Sequence, residues 1–171
     1  MSKPKIVGMM ALIVFAIGIV LVGNGLAGEK FKGRTVHSNT KWQQIDVGDE
    51  DGHVVAILES KGVATNMEGK WFGDGCAYRH VGLLDMNLKT GLGSGHYYGD
   101  YTDKDGDKWY FISEGKAVIG GQFGAYYWES RWKVVNGTGK FKGIKGGGTA
   151  RWYPVGDQGY HDWECEIELP R

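Results

Sequence analysis

Asp162-Trp163-Glu164-Cys165-Glu166-Ile167-Glu168-Leu169 decides the class of this chain. Trp163, Cys165, Ile167 and Leu169 alternate strictly with four carboxylates. A period of two gives a β-strand one apolar and one acidic face; a helix would scatter the same residues around its axis.

The same alternation recurs upstream. Trp128, Ser130, Trp132 and Val134 alternate with Tyr127, Glu129, Arg131 and Lys133. Trp109 and Phe111 alternate with Lys108, Tyr110 and Ile112, so that strand has no plainly wet face. Between Cys76 and Leu88, one side carries Tyr78, His80, Leu84, Met86 and Leu88. Further strands fit Arg34–Val47, His53–Ala64, Gly93–Tyr101 and Thr149–Pro154, eight in all. Turn-forming clusters separate them, among them Asp49-Glu50-Asp51-Gly52 and Lys104-Asp105-Gly106-Asp107. No segment after Ala27 sustains a helical period, which removes parallel strands joined by helices. The expected fold is all-β over residues 29–171. Antiparallel strands in series must close or hide their edges, so an eight-stranded antiparallel barrel is expected, with a β-sandwich as runner-up.

Composition agrees. The 171 residues include 30 Gly and 3 Pro, and 13% are aromatic, which favours short strands and tight turns over a helical bundle. Lys plus Arg and Asp plus Glu are 20 each, so no bulk charge argues for a nucleic-acid partner.

One stretch is more specific: Asn136-Gly137-Thr138-Gly139-Lys140-Phe141-Lys142-Gly143-Ile144-Lys145-Gly146-Gly147-Gly148-Thr149. Gly137, Gly139 and Gly143 let the chain turn back before Thr149 resumes the sheet. Phe141 and Ile144, isolated among Gly and Lys, are expected to plug one barrel end. A phosphate-cradling reading fails, because the Gly-x-x-x-x-Gly-Lys-Ser/Thr spacing is not met. Together with the strand–turn–strand Tyr101–Tyr110, this stretch resembles the signature of the allene oxide cyclase and dirigent barrel superfamily, in an uncharacterised exported bacterial branch. The resemblance implies an eight-stranded antiparallel barrel in which the Gly-rich stretch leads into the last strands. It also implies that any chemistry occurs inside the barrel on an apolar substrate. Trp42-Gln43-Gln44-Ile45-Asp46 occupies the region of the family's catalytic acid without matching it, so no residue is carried over as catalytic.

Asp103, Asp105, Asp107 and Glu114 invite a calcium loop, but the required Gly falls at the wrong place and Glu114 is carried off along a strand. An Asp/Gly hairpin turn is expected, with no metal and no cofactor. Lys140, Lys142 and Lys145 read as solvated charge on the Gly-rich turn.

Lys3 and Lys5 precede an uncharged run from Ile6 to Val22, followed by small residues up to Gly28. Residues 1–28 are expected to be a signal peptide cut after Ala27 or an uncleaved single-span anchor over residues 6–23. Either outcome exports residue 29 onward to the periplasm or beyond, with the membrane touched only through an uncleaved segment. In that compartment Cys76 and Cys165 fit a single disulfide; the alternative is two separate buried thiols.

Inward-pointing rings are the functional clue. Tyr78, His80, Trp109, Phe111, Trp128, Ser130, Trp132 and Trp163 are the interior candidates for ligand binding. The aromatic ones either fill the barrel or line a pocket. His80 reads as a satisfied buried imidazole, and Ser130 lacks any His/Asp arrangement that would make it a nucleophile. The expectation is a non-enzymatic barrel binding an apolar or aromatic small molecule. The alternatives are a cyclase or isomerase, or an envelope interaction protein using exposed Tyr126, Tyr127 and Tyr153.

Overall fold

A computed structural model describes residues 28–69, 73–120, 126–156 and 158–170. Apart from Gly28, the expected signal or anchor over residues 1–28 lies outside the described residues.

Eight antiparallel strands close into a barrel in sequential order, each bonded to its neighbours in sequence and the last to the first. They are β1 (Glu29–Asp46), β2 (His53–Glu68), β3 (Ala77–Asn87), β4 (Gly93–Thr102), β5 (Lys108–Ile119), β6 (Tyr126–Gly137), β7 (Lys145–Val155) and β8 (Gln158–Glu168). Closure removes the open edges that a sandwich would have to protect. On β8 the alternation quoted above becomes burial: Trp163, Cys165 and Ile167 point inward, while Glu164, Glu166 and Glu168 face solvent.

Two core clusters divide the interior along its axis. At one end Phe31, Tyr101, Trp109, Phe141, Ile144, Trp163 and Ile167 pack together. At the other, Val54, Ala56, Leu58, Leu84, Met86 and Trp128 form a second, smaller group. The first end is stoppered by the β6–β7 connection, whose 3-10 turn Gly139–Phe141 drops Phe141 into the core at 2% exposure. Gly137 makes this possible: a methyl there would run into the Phe141 carbonyl. Gly139 takes a left-handed φ of 47°.

The β4–β5 turn docks on that stopper. Asp103 accepts the backbone N–H groups of Asp105 and Asp107 at 2.9 Å each. Lys140 pairs with Asp103 and, at 2.9 Å, with Asp105. Thr138 N–H donates to the Lys108 carbonyl at 2.7 Å. The acidic hairpin is therefore a turn, and the ammonium of Lys140 stands among its carboxylates. Lys140 is thus not the solvated charge expected of it.

Cys76 and Cys165 are free thiols, both buried, which overturns the expected disulfide. Cys76 lies just before β3 and Cys165 on β8, with β1 and β2 between them around the wall. Three strand spacings amount to about 14 Å of sheet, well beyond the Cα separation a disulfide spans. Burial pushes the Cys76 thiol up to about 11 and the Cys165 thiol up to about 12.

β1 is bonded to β8 only as far as Ser38, but to β2 as far as Asp46. The β1–β2 hairpin therefore projects past the last β8 partner and brings Trp42 over the unstoppered end. That end leads to the cavity.

Candidate functional site

A cavity of about 220 Å³ lies toward the unstoppered end of the barrel, walled by much of the second core cluster and bounded below by Tyr78 and Phe111 of the first. Its room comes from small inward residues. Gly115 on β5 pairs with Ser130 on β6, and Ser113 lines the cavity beside them, so at this level two adjacent strands present little side chain to the interior. The opposite wall supplies Leu58, Leu84 and Met86, with Trp128 beside them. Trp42, Leu88 and Tyr126 surround the mouth. Among the described lining residues there is no Asp, Glu, Lys or Arg.

The floor is a ring cluster. His37 stacks on His161 with centroids 4.6 Å apart and planes 17° from parallel. His80 lies 5.6 Å from His37 and 6.3 Å from His161. The Tyr78 hydroxyl is hydrogen-bonded to Nδ1 of His80, and Tyr97 packs edge-on against the same imidazole at 5.1 Å. Burial holds His37 down to about 4 and, helped by His37, His80 down to about 3; His161 is likewise pushed well below its ordinary value. Burial raises the Tyr78 and Tyr97 hydroxyls in turn. All three imidazoles are accordingly neutral at pH 7.

Three histidines in one place raise the question of a metal. The His37 and His161 planes are stacked, so their in-plane lone pairs do not converge on a shared point. No group of three or more His, Cys, Asp or Glu among the described residues is arranged to hold an ion.

The polar groups differ in how they are satisfied. His80 is bonded to Tyr78 and Ser130 donates to the Ala150 carbonyl at 3.4 Å. Below the floor, Trp163 Nε1 donates to Thr35 at 3.1 Å, and Thr35 is bonded to the Tyr101 hydroxyl at 3.0 Å. His37 is not satisfied in this way: at 6% exposure, neither ring nitrogen meets a hydrogen-bond partner among the described residues. The Trp152 indole N–H is buried and unpartnered in the same sense.

The eight interior candidates all point inward, but they divide between two tasks. Trp109, Trp132 and Trp163 belong to the packed end and do not line the cavity. Tyr78, His80, Phe111, Trp128 and Ser130 line it. Sequence reasoning missed His37, Tyr97, Trp152 and His161. His161 was findable, since it shares the parity of Trp163 two residues on. His37 was hidden because the inward side of β1 runs Gly33, Thr35, His37, Asn39, with no apolar pattern to mark it. Outside the barrel, Tyr127, Tyr153 and Tyr160 stack in a row at 5.8 and 5.1 Å, whereas Tyr126 turns to the cavity mouth.

No protein-family model matches the chain, and no curated protein does. Among solved structures, the chain is similar to that of a conserved protein of unknown function, RPA1785, from Rhodopseudomonas palustris, with a TM-score of 0.53. The alignment covers 82% of this chain and 98% of the other at 12% identity, a likeness of fold alone. The resemblance read in the Gly-rich stretch thus stands at the level of the eight-stranded antiparallel barrel, without a family match behind it.

Proposed function

We propose that this small barrel binds a ring-sized apolar or aromatic molecule in its interior and is not an enzyme. The supporting observation is the cavity itself: about 220 Å³, walled by aromatic and aliphatic side chains, with a cluster of polar rings at one end. A cavity of about 150 Å³ already takes benzene, so this one suits a single or fused ring with a few further atoms. Filling a barrel of eight strands needs only side chains; the small lining residues Ser113, Gly115 and Ser130 leave space that larger ones would have closed.

Binding is favoured over acid–base chemistry because no group at the floor is poised near neutrality. His37 and His80 are held at about 4 and 3, and burial raises Tyr78 further from that range. With residues 1–28 read as a signal or anchor, the ligand would be met outside the inner membrane.

The test is a thermal-shift panel of small ring compounds on wild type and Ser130→Leu. A ligand at 100 times its Kd adds about 2.7 kcal/mol to stability. Wild type should shift and Ser130→Leu, whose side chain fills the cavity, should not. No shift with any ring compound, and no co-purifying molecule in native mass spectrometry of protein from its own host, would sink the reading.

A further inference from the structure

We propose that His80 and Tyr97 give this cavity two hydrogen-bond donors, which select an uncharged aromatic ketone or aldehyde by its carbonyl oxygen. The inference rests on the ligand-binding reading and names the chemistry of the head group.

Register and one glycine place the donors at the open space. His80 on β3 pairs with Gly99 on β4, two residues beyond Tyr97, and the two rings meet edge-on with centroids 5.1 Å apart. The Tyr97 ring runs along its own strand to Gly95, where a methyl would come within 2.7 Å of the hydroxyl oxygen. Gly95 is paired with Leu84 on one side and Gly115 on the other, both on the cavity wall. Nε2 of His80 and the Tyr97 hydroxyl meet no hydrogen-bond partner among the described residues. Neither belongs to the unpartnered atoms that the protein seals off, as the His37 nitrogens and the Trp152 indole N–H do. Both residues line the cavity, so the surface these two atoms keep is the cavity's own.

Tyr78 fixes where the His80 proton sits. Burial pushes the Tyr78 hydroxyl up, so it keeps its proton, and its partner is Nδ1 of His80. An interior phenol without an acceptor is costly, so the hydroxyl donates and Nδ1 accepts. A neutral imidazole carries one proton, which then belongs to Nε2. The cavity thus receives an N–H from His80 and an O–H from Tyr97, and the ligand has to accept. A carbonyl oxygen does so with its two lone pairs. A hydrocarbon has no acceptor, and a hydroxyl brings a further proton that needs an acceptor of its own. A carboxylate would enter a cavity whose described lining holds no Lys or Arg to balance it. The aromatic part of the ligand would lie against Trp128, Phe111 and Leu84, which offer only apolar contact.

Two measurements on the full-length protein at pH 7 test this. Nitrogen-15 NMR of the imidazoles should find the His80 proton on Nε2; a proton on Nδ1 overturns the inference whatever binds. Calorimetric titration then compares four probes of similar size: acetophenone, α-methylstyrene, 1-phenylethanol and benzoate. Wild type should bind acetophenone at least as tightly as α-methylstyrene, although water solvates the ketone far better, and more tightly than the alcohol or benzoate. His80→Phe and Tyr97→Phe should each move the ketone-to-alkene ratio at least about tenfold toward the alkene. Tighter binding of any other probe by wild type, or a ratio unmoved in either variant, would overturn the selection while leaving the cavity a binding site. Binding of none of the four would remove the binding reading, and this inference with it. Should either variant fail to fold, the wild-type ranking and the position of the His80 proton decide.

Discussion

His37 couples the interior to pH. Its unfolded-state value is near 6.5, and burial lowers it to about 4 in the folded protein, with His80 lowered to about 3. A group whose folded value is depressed gives its full stability above the unfolded value and loses it as pH falls. Each of these histidines should therefore cost up to about 1.4 kcal/mol per pH unit below 6.5, until its own folded value is reached. His53 runs the other way: Asp85 and then Asp49 raise it, so its contribution is present below 6.5 and is lost on the alkaline side. Glu59, held down to about 2 by Arg79 and Lys41, titrates only in stronger acid. Comparing wild type with His37→Phe between pH 6.5 and 5 isolates the buried imidazole. Urea melts should show the variant losing less stability across that window; parallel slopes would contradict the burial assigned to His37.

Strands and their connections divide the labour. The β6–β7 connection closes one end by burying Phe141 and Ile144, and the β4–β5 turn clamps it through Asp103 and Lys140. Truncating Phe141 to Ala should cost about 3–5 kcal/mol, the range for a buried aromatic. Asp103→Ala removes two bonds to backbone N–H groups and the pairing with Lys140. Its expected cost is about 1–3 kcal/mol, measured by chemical denaturation. Both changes lie at the stoppered end, so ring-compound binding should survive them in whatever fraction remains folded. Strand identity was legible in sequence wherever one face was apolar, as on β8 and β6. The inward side of β1 was not, because its residues there are small or polar and take their meaning only from the strands opposite. The role of Lys140 was equally hidden: its acidic partners are thirty-odd positions away and meet it only through the docking of two turns.

The whole barrel explains the cysteines. Cys76 and Cys165 both look into the interior, as period two requires for Cys165, yet they start from walls separated by two intervening strands. Alkylation followed by mass measurement should label neither thiol in the native protein and both after unfolding without reductant. One intact disulfide in the unfolded, unreduced chain would contradict the fold. Closure also sorts the tryptophans, since position along the axis separates Trp109 and Trp163 in the packed end from Trp128 beside the cavity. A residue's face is local information, whereas its height in the barrel depends on register across every strand.

Alternation, turn chemistry and the glycines of residues 136–149 determined by themselves the class, the strand count and the inward direction of the aromatic rings, because each is set by neighbours a few residues apart. Only the tertiary structure decided that the barrel keeps a cavity, that His80 and Tyr97 meet in it, and that the thiols stay apart. Those outcomes depend on which small side chains face one another across the closed sheet, and that pairing is fixed by register between residues far apart in the chain.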